Sequence, residues 1–198
     1  MNKSNEIKLA GMIKNDIVLD HVYNQEYFYR FTLVTTRSSG IQDEIIIVFP
    51  DSVYSATKLS NYEYCHIIGS IKSHTVYTDN NTKTMLVYVS PTKIIPTLDI
   101  WSSHNHVMLD GTIHSTNGFR LTPQSKEIIN FVLKVEHNNK MDFIPCIAWN
   151  NNALEINKMA IGDKIKIEGR FQSRKYQKTI NDIAESRTTY EVSVNTIN

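Results

Sequence analysis

The chain repeats itself at an offset of 100 residues, and that limits what it can fold into. Asn5-Glu-Ile-Lys-Leu-Ala-Gly-Met-Ile13 is matched by Asn105-His-Val-Met-Leu-Asp-Gly-Thr-Ile113. Phe31-Thr-Leu33 is matched by Phe131-Val-Leu133, and Gly69-Ser-Ile71 by Gly169-Arg-Phe171. Of the seven glycines, four form the pairs Gly11/Gly111 and Gly69/Gly169. Each sits among alternating apolar residues, where glycine normally weakens a strand and therefore marks a bulge or a sharp corner. The reading is one small β-domain present twice. The expected boundaries are 1–96 for the first copy, 97–104 for a linker and 105–198 for the second copy.

Period-2 alternation supplies the strands. In the second copy Val107, Leu109, Gly111 and Ile113 alternate, as do Ile129, Phe131, Leu133 and Val135. A third strand covers about 142–149. Ile165, Ile167, Gly169 and Phe171 make a fourth, and Tyr190, Val192 and Val194 a fifth. Residues 151–160 read as a short helix with Leu154 and Met159 inward and Gly162 as its stop. The first copy shows the same order, with a poorer helix over 51–61. Five strands with one helix between the third and fourth is the order of the OB fold, a small Greek-key barrel. The expected class is all-β, two tandem OB folds.

Composition excludes several functions. The 21 Lys+Arg and 20 Asp+Glu give a net charge of +1. Bulk charge alone cannot hold this protein on a polyanion, so any such binding needs a local patch. The longest pure apolar run, Ile45–Phe49, is far short of a membrane span. The N-terminus carries no apolar stretch of the secretory type, and a cytoplasmic location is expected. Cys65 and Cys146 each lie inside an apolar strand and read as buried small hydrophobes. His104 and His106 form a superficial metal-like pair, but no acidic partner stands at a fixed spacing. No nucleophile, paired-carboxylate or phosphate-loop motif is readable, so neither an enzyme nor a cofactor is expected.

Four blocks of the second copy carry a family resemblance. They are Asp142-Phe-Ile-Pro-Cys-Ile-Ala-Trp149, Ile161-Gly-Asp-Lys-Ile-Lys-Ile-Glu-Gly-Arg170, Gln172-Ser-Arg-Lys-Tyr176 and Thr189-Tyr-Glu-Val192. In order and spacing this half resembles bacterial single-stranded DNA-binding proteins. The resemblance implies base stacking on Phe143, Trp149 and Tyr176, with phosphate contacts from Arg170, Arg174 and Lys175. It also implies a homodimer that places four OB folds around the DNA. Each residue has a structural alternative: core burial for Phe143, edge packing for Trp149, a solvated loop pair for Arg174-Lys175. The physics fits the resemblance. Every base has a π-face, so aromatic platforms bind with little sequence preference, at about 1–3 kcal/mol per base. The segment from Ile165 to Tyr190 is locally basic, with Lys166, Arg170, Arg174, Lys175, Lys178 and Arg187 against Glu168, Asp182 and Glu185.

The copies are unequal. Residues 1–100 hold 9 Lys+Arg and 10 Asp+Glu (net −1), whereas residues 101–198 hold 12 and 10 (net +2). Glu44 stands at the position of Phe143. His74-Thr75-Val76, with Tyr77 next, stands opposite Arg174-Lys175-Tyr176. The first copy is expected to bind DNA weakly, or to read something else with Tyr23, Tyr27, Phe28 and Tyr29. The family's usual acidic C-terminal tip is not seen after Val194, so recruitment of enzymes by that route is not expected. Two functions follow from different classes. One is sequence-tolerant binding of single-stranded DNA in replication, recombination or repair. The other is an assembly protein of a primosome or conjugation apparatus whose OB folds mainly bind proteins.

Overall fold

Alternation of buried and outward side chains runs through nearly every segment of the computed structural model, which describes residues 4–57, 59, 63–77, 83–98, 104–137, 140–180 and 183–198. Residues 99–103 of the expected linker, most of 58–62 at the end of the first expected helix, and Asp182 lie outside the described residues, as do the side chains of Lys178 and Glu185. The first copy comprises β1 (Asn5–Ile13), β2 (Val18–Tyr23), β3 (Glu26–Thr36), β4 (Gln42–Pro50), α1 (Asp51–Ser55), β5 (Tyr64–Tyr77) and β6 (Lys83–Thr97). The second comprises β7 (Asn105–Leu121), β8 (Glu127–His137), β9 (Lys140–Trp149), α2 (Asn151–Lys158), β10 (Lys164–Ile180) and β11 (Ile183–Ile197).

In the second copy the strands pair in the order β10-β11-β9-β8-β7, and β10 pairs again with β7, closing a barrel. The first copy repeats this as β5-β6-β4-β3-β1, closed by β1 on β5. Each barrel has one parallel pair, β11 on β9 and β6 on β4. These are two OB folds. The expectation of five strands holds in the second copy. In the first, the long initial strand is broken into β1 and β2, because Asn15 and Asp16 fall between them and the Asn15 carboxamide oxygen accepts the Thr32 N–H at 2.7 Å. At the same place β7 stays continuous but slips register between Ile113 and Ser115 and again before Phe119.

The copies are joined edge to edge. β1 pairs antiparallel with β7, Asn5 opposite Leu109, Ile7 opposite Val107 and Leu9 opposite Asn105. That register is symmetric about Ile7/Val107, so a pseudo-two-fold axis relates the barrels and all eleven strands form one sheet. The same symmetry governs two side-chain clasps. Asn5 bridges the Ile71 backbone, donating to its carbonyl at 2.7 Å and accepting from its N–H at 2.9 Å. Asn105 does the same to Phe171, at 2.7 and 2.8 Å.

The cores obey the repeat as well: Leu9 and Leu109, Phe31 and Phe131, Leu33 and Leu133, Ile71 and Phe171 are all buried. One exchange distinguishes the copies. Phe49 fills the end of the first barrel beside Tyr54, and α1 buries none of its residues. In the second barrel Ala148 stands there, and α2 supplies Ala153 and Ile156 instead. The expected inward pair Leu154 and Met159 is therefore corrected. Ala153 and Ile156, three apart, share the inner face, while Leu154 is turned to solvent. Met159 still packs on the core, but in extended backbone beyond the helix. Gly162 is not the helix stop either. It takes φ +101° in the turn before β10, and its N–H donates to the Ile113 carbonyl at 2.9 Å. Both cysteines are buried and unpaired, and burial pushes the Cys65 thiol up to about 12 and raises that of Cys146 too.

Of the repeated glycines, Gly69 and Gly169 sit at irregularities, as expected, whereas pairing runs without a shift through Gly11 and Gly111. β5 and β10 shift register immediately before Gly69 and Gly169. A Cβ on Gly69 would collide with the Ser90 carbonyl oxygen, and one on Gly169 with that of Ser193. Gly169→Ala is expected to cost about 1–3 kcal/mol by overpacking. The check is a urea titration, with a lowered midpoint at unchanged slope.

Candidate nucleic-acid interface

On β9 the inward positions Asp142, Ile144, Cys146 and Ala148 are buried, and Phe143, Pro145 and Trp149 alternate with them on the outer face, half-buried. Phe143 is thus outside the barrel core. The His114 ring from β7 stands edge-on to it, centroids 4.7 Å apart and planes at 63°. Phe143 and His114 line a groove of about 520 Å³ with Met141 and Val132. The other wall is from the first copy: Ser73, His74 and Thr75 on β5, and Met85 on β6. Hydrogen bonds hold that wall in place. The Phe143 N–H donates to Ser73 Oγ at 2.7 Å, the Ser73 N–H to Asp142 Oδ1 at 2.8 Å, and Lys72 Nζ to Asp142 Oδ2 at 3.0 Å.

The mirror arrangement seats the second copy's hairpin on the first copy. The Ser173 N–H donates to the buried Asp43 Oδ1 at 2.8 Å, and the Glu44 N–H to Ser173 Oγ at 3.1 Å. Arg37 grips both Asp43 oxygens at 2.7 Å. Beyond this anchor Lys175 reaches Glu44 at 3.7 Å, and Arg174 reaches the buried Glu191 at 3.6 Å while its guanidinium lies 5.9 Å from the Tyr176 ring centre. Tyr176 is 38% exposed and looks into a second groove of about 820 Å³, whose opposite side is the first copy's outer face.

The expected site residues therefore fall in four places. Phe143 lies in one groove, and Tyr176, with Arg174 over its ring, reaches the other. Trp149 sits six residues along β9 from Phe143, about 20 Å on a strand. Arg170 is elsewhere, half-buried in a cleft with Thr35, Arg37 and Asn105, donating to Gln172 at 3.3 Å. Burial, then the neighbouring Arg37 charge, lowers its pKa. Sequence reasoning missed His114 and Tyr88. Alternation could have found Tyr88, which stands outward between the buried Val87 and Val89. It also found no acidic partner for His106, yet folding brings Glu168 to 3.2 Å. Among the described residues no His, Cys, Asp and Glu group has the arrangement of a metal site.

The family model described as "Single-strand binding protein family" matches residues 104–198. The second half of the chain is therefore similar to that family. The matched stretch includes Phe143, Trp149, Arg170, Arg174, Lys175 and Tyr176. The whole chain is similar in fold to the single-stranded DNA-binding protein of Thermus aquaticus. The wild-type structure of that protein aligns at TM-score 0.76 and 17% identity, over 98% of this chain and 91% of that one. A deletion mutant of it aligns at 0.76 and 18%, over 98% and 93%. No curated protein matches the chain. The first copy is tied to the family-matched half by the internal repeat and the shared topology.

Glu44 places a charge where the second copy has the Phe143 ring. Lys14 at 2.9 Å, chiefly through its hydrogen bond, and then Lys175 hold the Glu44 carboxyl below the usual glutamate range. A depressed folded-state pKa stabilises above the unfolded value and is lost as pH falls through the folded one. The pair is partly exposed, so the effect is small. The urea midpoint of Glu44→Gln is expected to lie slightly below wild type at pH 7, and the gap to close as pH drops below about 4. A gap that widens on acidification contradicts the pairing.

Proposed function

We propose that this protein binds single-stranded DNA without strong sequence preference and without catalysis, in replication, recombination or repair. One observation carries the reading: Phe143, Trp149 and Tyr176, all within the family-matched half, lie outside the barrel cores with ring surface open to solvent. Unpaired bases stack on these rings, at about 1–3 kcal/mol each. Arg174 and Lys175 supply phosphate contacts. Their present partners, Glu191 and Glu44, are 3.6 and 3.7 Å away, and both cations are exposed. Such pairs are worth about 0–1 kcal/mol, so turning either cation to a phosphate costs little. Arg170 lies apart from this path, in the cleft with Thr35 and Arg37. The first fold is the weaker site on its own β4, where Glu44 and Pro50 hold the register of Phe143 and Trp149. The active form is a homodimer that presents four OB folds.

A second reading has one feature in its favour. β2 ends the sheet and pairs only with β3 among the described strands, and Val18, Leu19, Val22 and Tyr23 on it are exposed. An apolar edge of this kind suits a protein partner, as in an assembly protein of a primosome or conjugation apparatus.

Oligothymidine is expected to quench tryptophan emission saturably, with an apparent affinity that falls with salt by a log–log slope of about 0.7 per phosphate neutralised. Tyr176→Ala is expected to weaken binding by about 1–3 kcal/mol with thermal stability almost unchanged. Tyr77→Ala, at a position 68% exposed in the first hairpin, is expected to matter much less. Absence of saturable quenching and of a mobility shift at low salt rejects the reading in favour of the protein-binding one.

A further inference from the structure

The two grooves are one track. His74 and Met85, on the first copy's hairpin, line both the Phe143 groove and the Tyr176 groove. The hairpin therefore forms a shared rim over which an extended chain passes from one groove into the next. The second groove lies between the copies. Its floor is the outer face of β4, through Ile46 and Val48, and Tyr176 of the second copy reaches over it.

By register, β4 has no ring to offer: Glu44, Ile46, Val48 and Pro50 stand where β9 has Phe143, Pro145, Ile147 and Trp149. The groove recovers rings from other elements. Tyr23 comes from β2 and is 61% exposed, Tyr88 comes from β6 with His74 edge-on to it at 5.5 Å, and Tyr176 comes from β10. Arg30 and Lys140 supply positive charge at the lining. Asp20 lines it too, but its carboxylate is already met by His21 at 2.7 Å and Arg30 at 3.4 Å. A volume of about 820 Å³ falls within the range that buries a whole small ligand.

We propose that this inter-copy groove is a second base-stacking site, which takes unpaired nucleobases of the same DNA strand that occupies the Phe143 groove. The proposal rests on the single-strand reading above and adds to it the place where the strand continues. Flat apolar rings with cations at the rim match bases and phosphates, and the shared rim gives the strand its passage. The first copy's contribution is then not a degenerate replica of the second. It is a composite site that neither copy forms alone.

The experiment compares oligothymidine of about 8 nucleotides, which one OB fold accommodates, with one of about 30, which needs more. The full-length variants are Tyr23→Ala, at an exposed position, and Tyr88→Leu, which keeps an apolar side chain at a half-buried position. Each is expected to lower affinity for the long oligonucleotide about 5- to 150-fold and to leave the short one near wild type. Thermal unfolding at the wild-type temperature verifies that the fold is intact. Unchanged affinity for the long oligonucleotide, or equal losses on both lengths, overturns the proposal. A wild-type chain that binds neither length instead removes the single-strand reading, and the groove proposal with it.

Discussion

The antiparallel pairing of β1 with β7 is the constraint on which the rest of this molecule depends. A strand edge must be paired, covered or blunted, and here each barrel's first strand is the other's cover. Because the register is symmetric about Ile7 and Val107, everything adjacent to the seam is duplicated. The Asn5 and Asn105 clasps are the clearest case: each carboxamide satisfies one buried N–H and one buried C=O that the barrel's own ladder leaves free. Losing such a clasp strands two backbone groups, at about 1–3 kcal/mol each. The pairing also decides where the long hairpins go. Each leaves its own barrel past the seam and lands on the other barrel, Ser73 on Asp142 and Ser173 on Asp43.

That crossing explains what could and could not be read in the sequence. The strands were legible because burial alternates with a period of two, and the repeat located the corners at Gly69 and Gly169 because a Cβ there has no room. The expectation that Phe143 and Trp149 stand outside the core came from the family resemblance, and alternation along β9 agrees with it. The destination of the hairpin was not legible. Arg174, Lys175 and Tyr176 align within the second copy, but which copy they touch depends on a contact between segments about 130 residues apart. Grouping Tyr176 with Phe143 on one barrel was natural from the repeat, yet the two occupy different grooves. The helix face failed for a related reason. Leu154 looks more like core than Ala153, but the space near Ala148 is set by the barrel, and helical spacing decides which side chains enter it.

Charge is distributed by the same geometry. A chain of net +1 holds a polyanion only through cations that are locally concentrated and free to turn. At the anchors the ion pairs are short and buried on one side: Arg37 on Asp43, Lys72 on Asp142. Towards the hairpin tip they lengthen and become exposed, as at Arg174 and Lys175. The gradient separates two duties. Cations at the anchors are themselves mostly covered and lie within 3.0 Å of their carboxylates. Those further out meet their carboxylates loosely and can exchange them for other anions.

Seen this way, the loss of aromatic residues from β4 is compensated by the partner copy rather than simply tolerated. Glu44 in place of a ring removes a platform but gives Lys14 and Lys175 a common counter-charge, which helps hold the second copy's hairpin over the first copy's face. Tyr176 thereby lines one groove with Ile46 and Val48, on a strand face that presents no ring of its own. A duplicated domain that kept both faces identical would need each to be sufficient. Fusion in one chain relaxes that requirement, since the hairpin of one copy is always present at the other, and the two faces can then diverge while the surface between them stays complete.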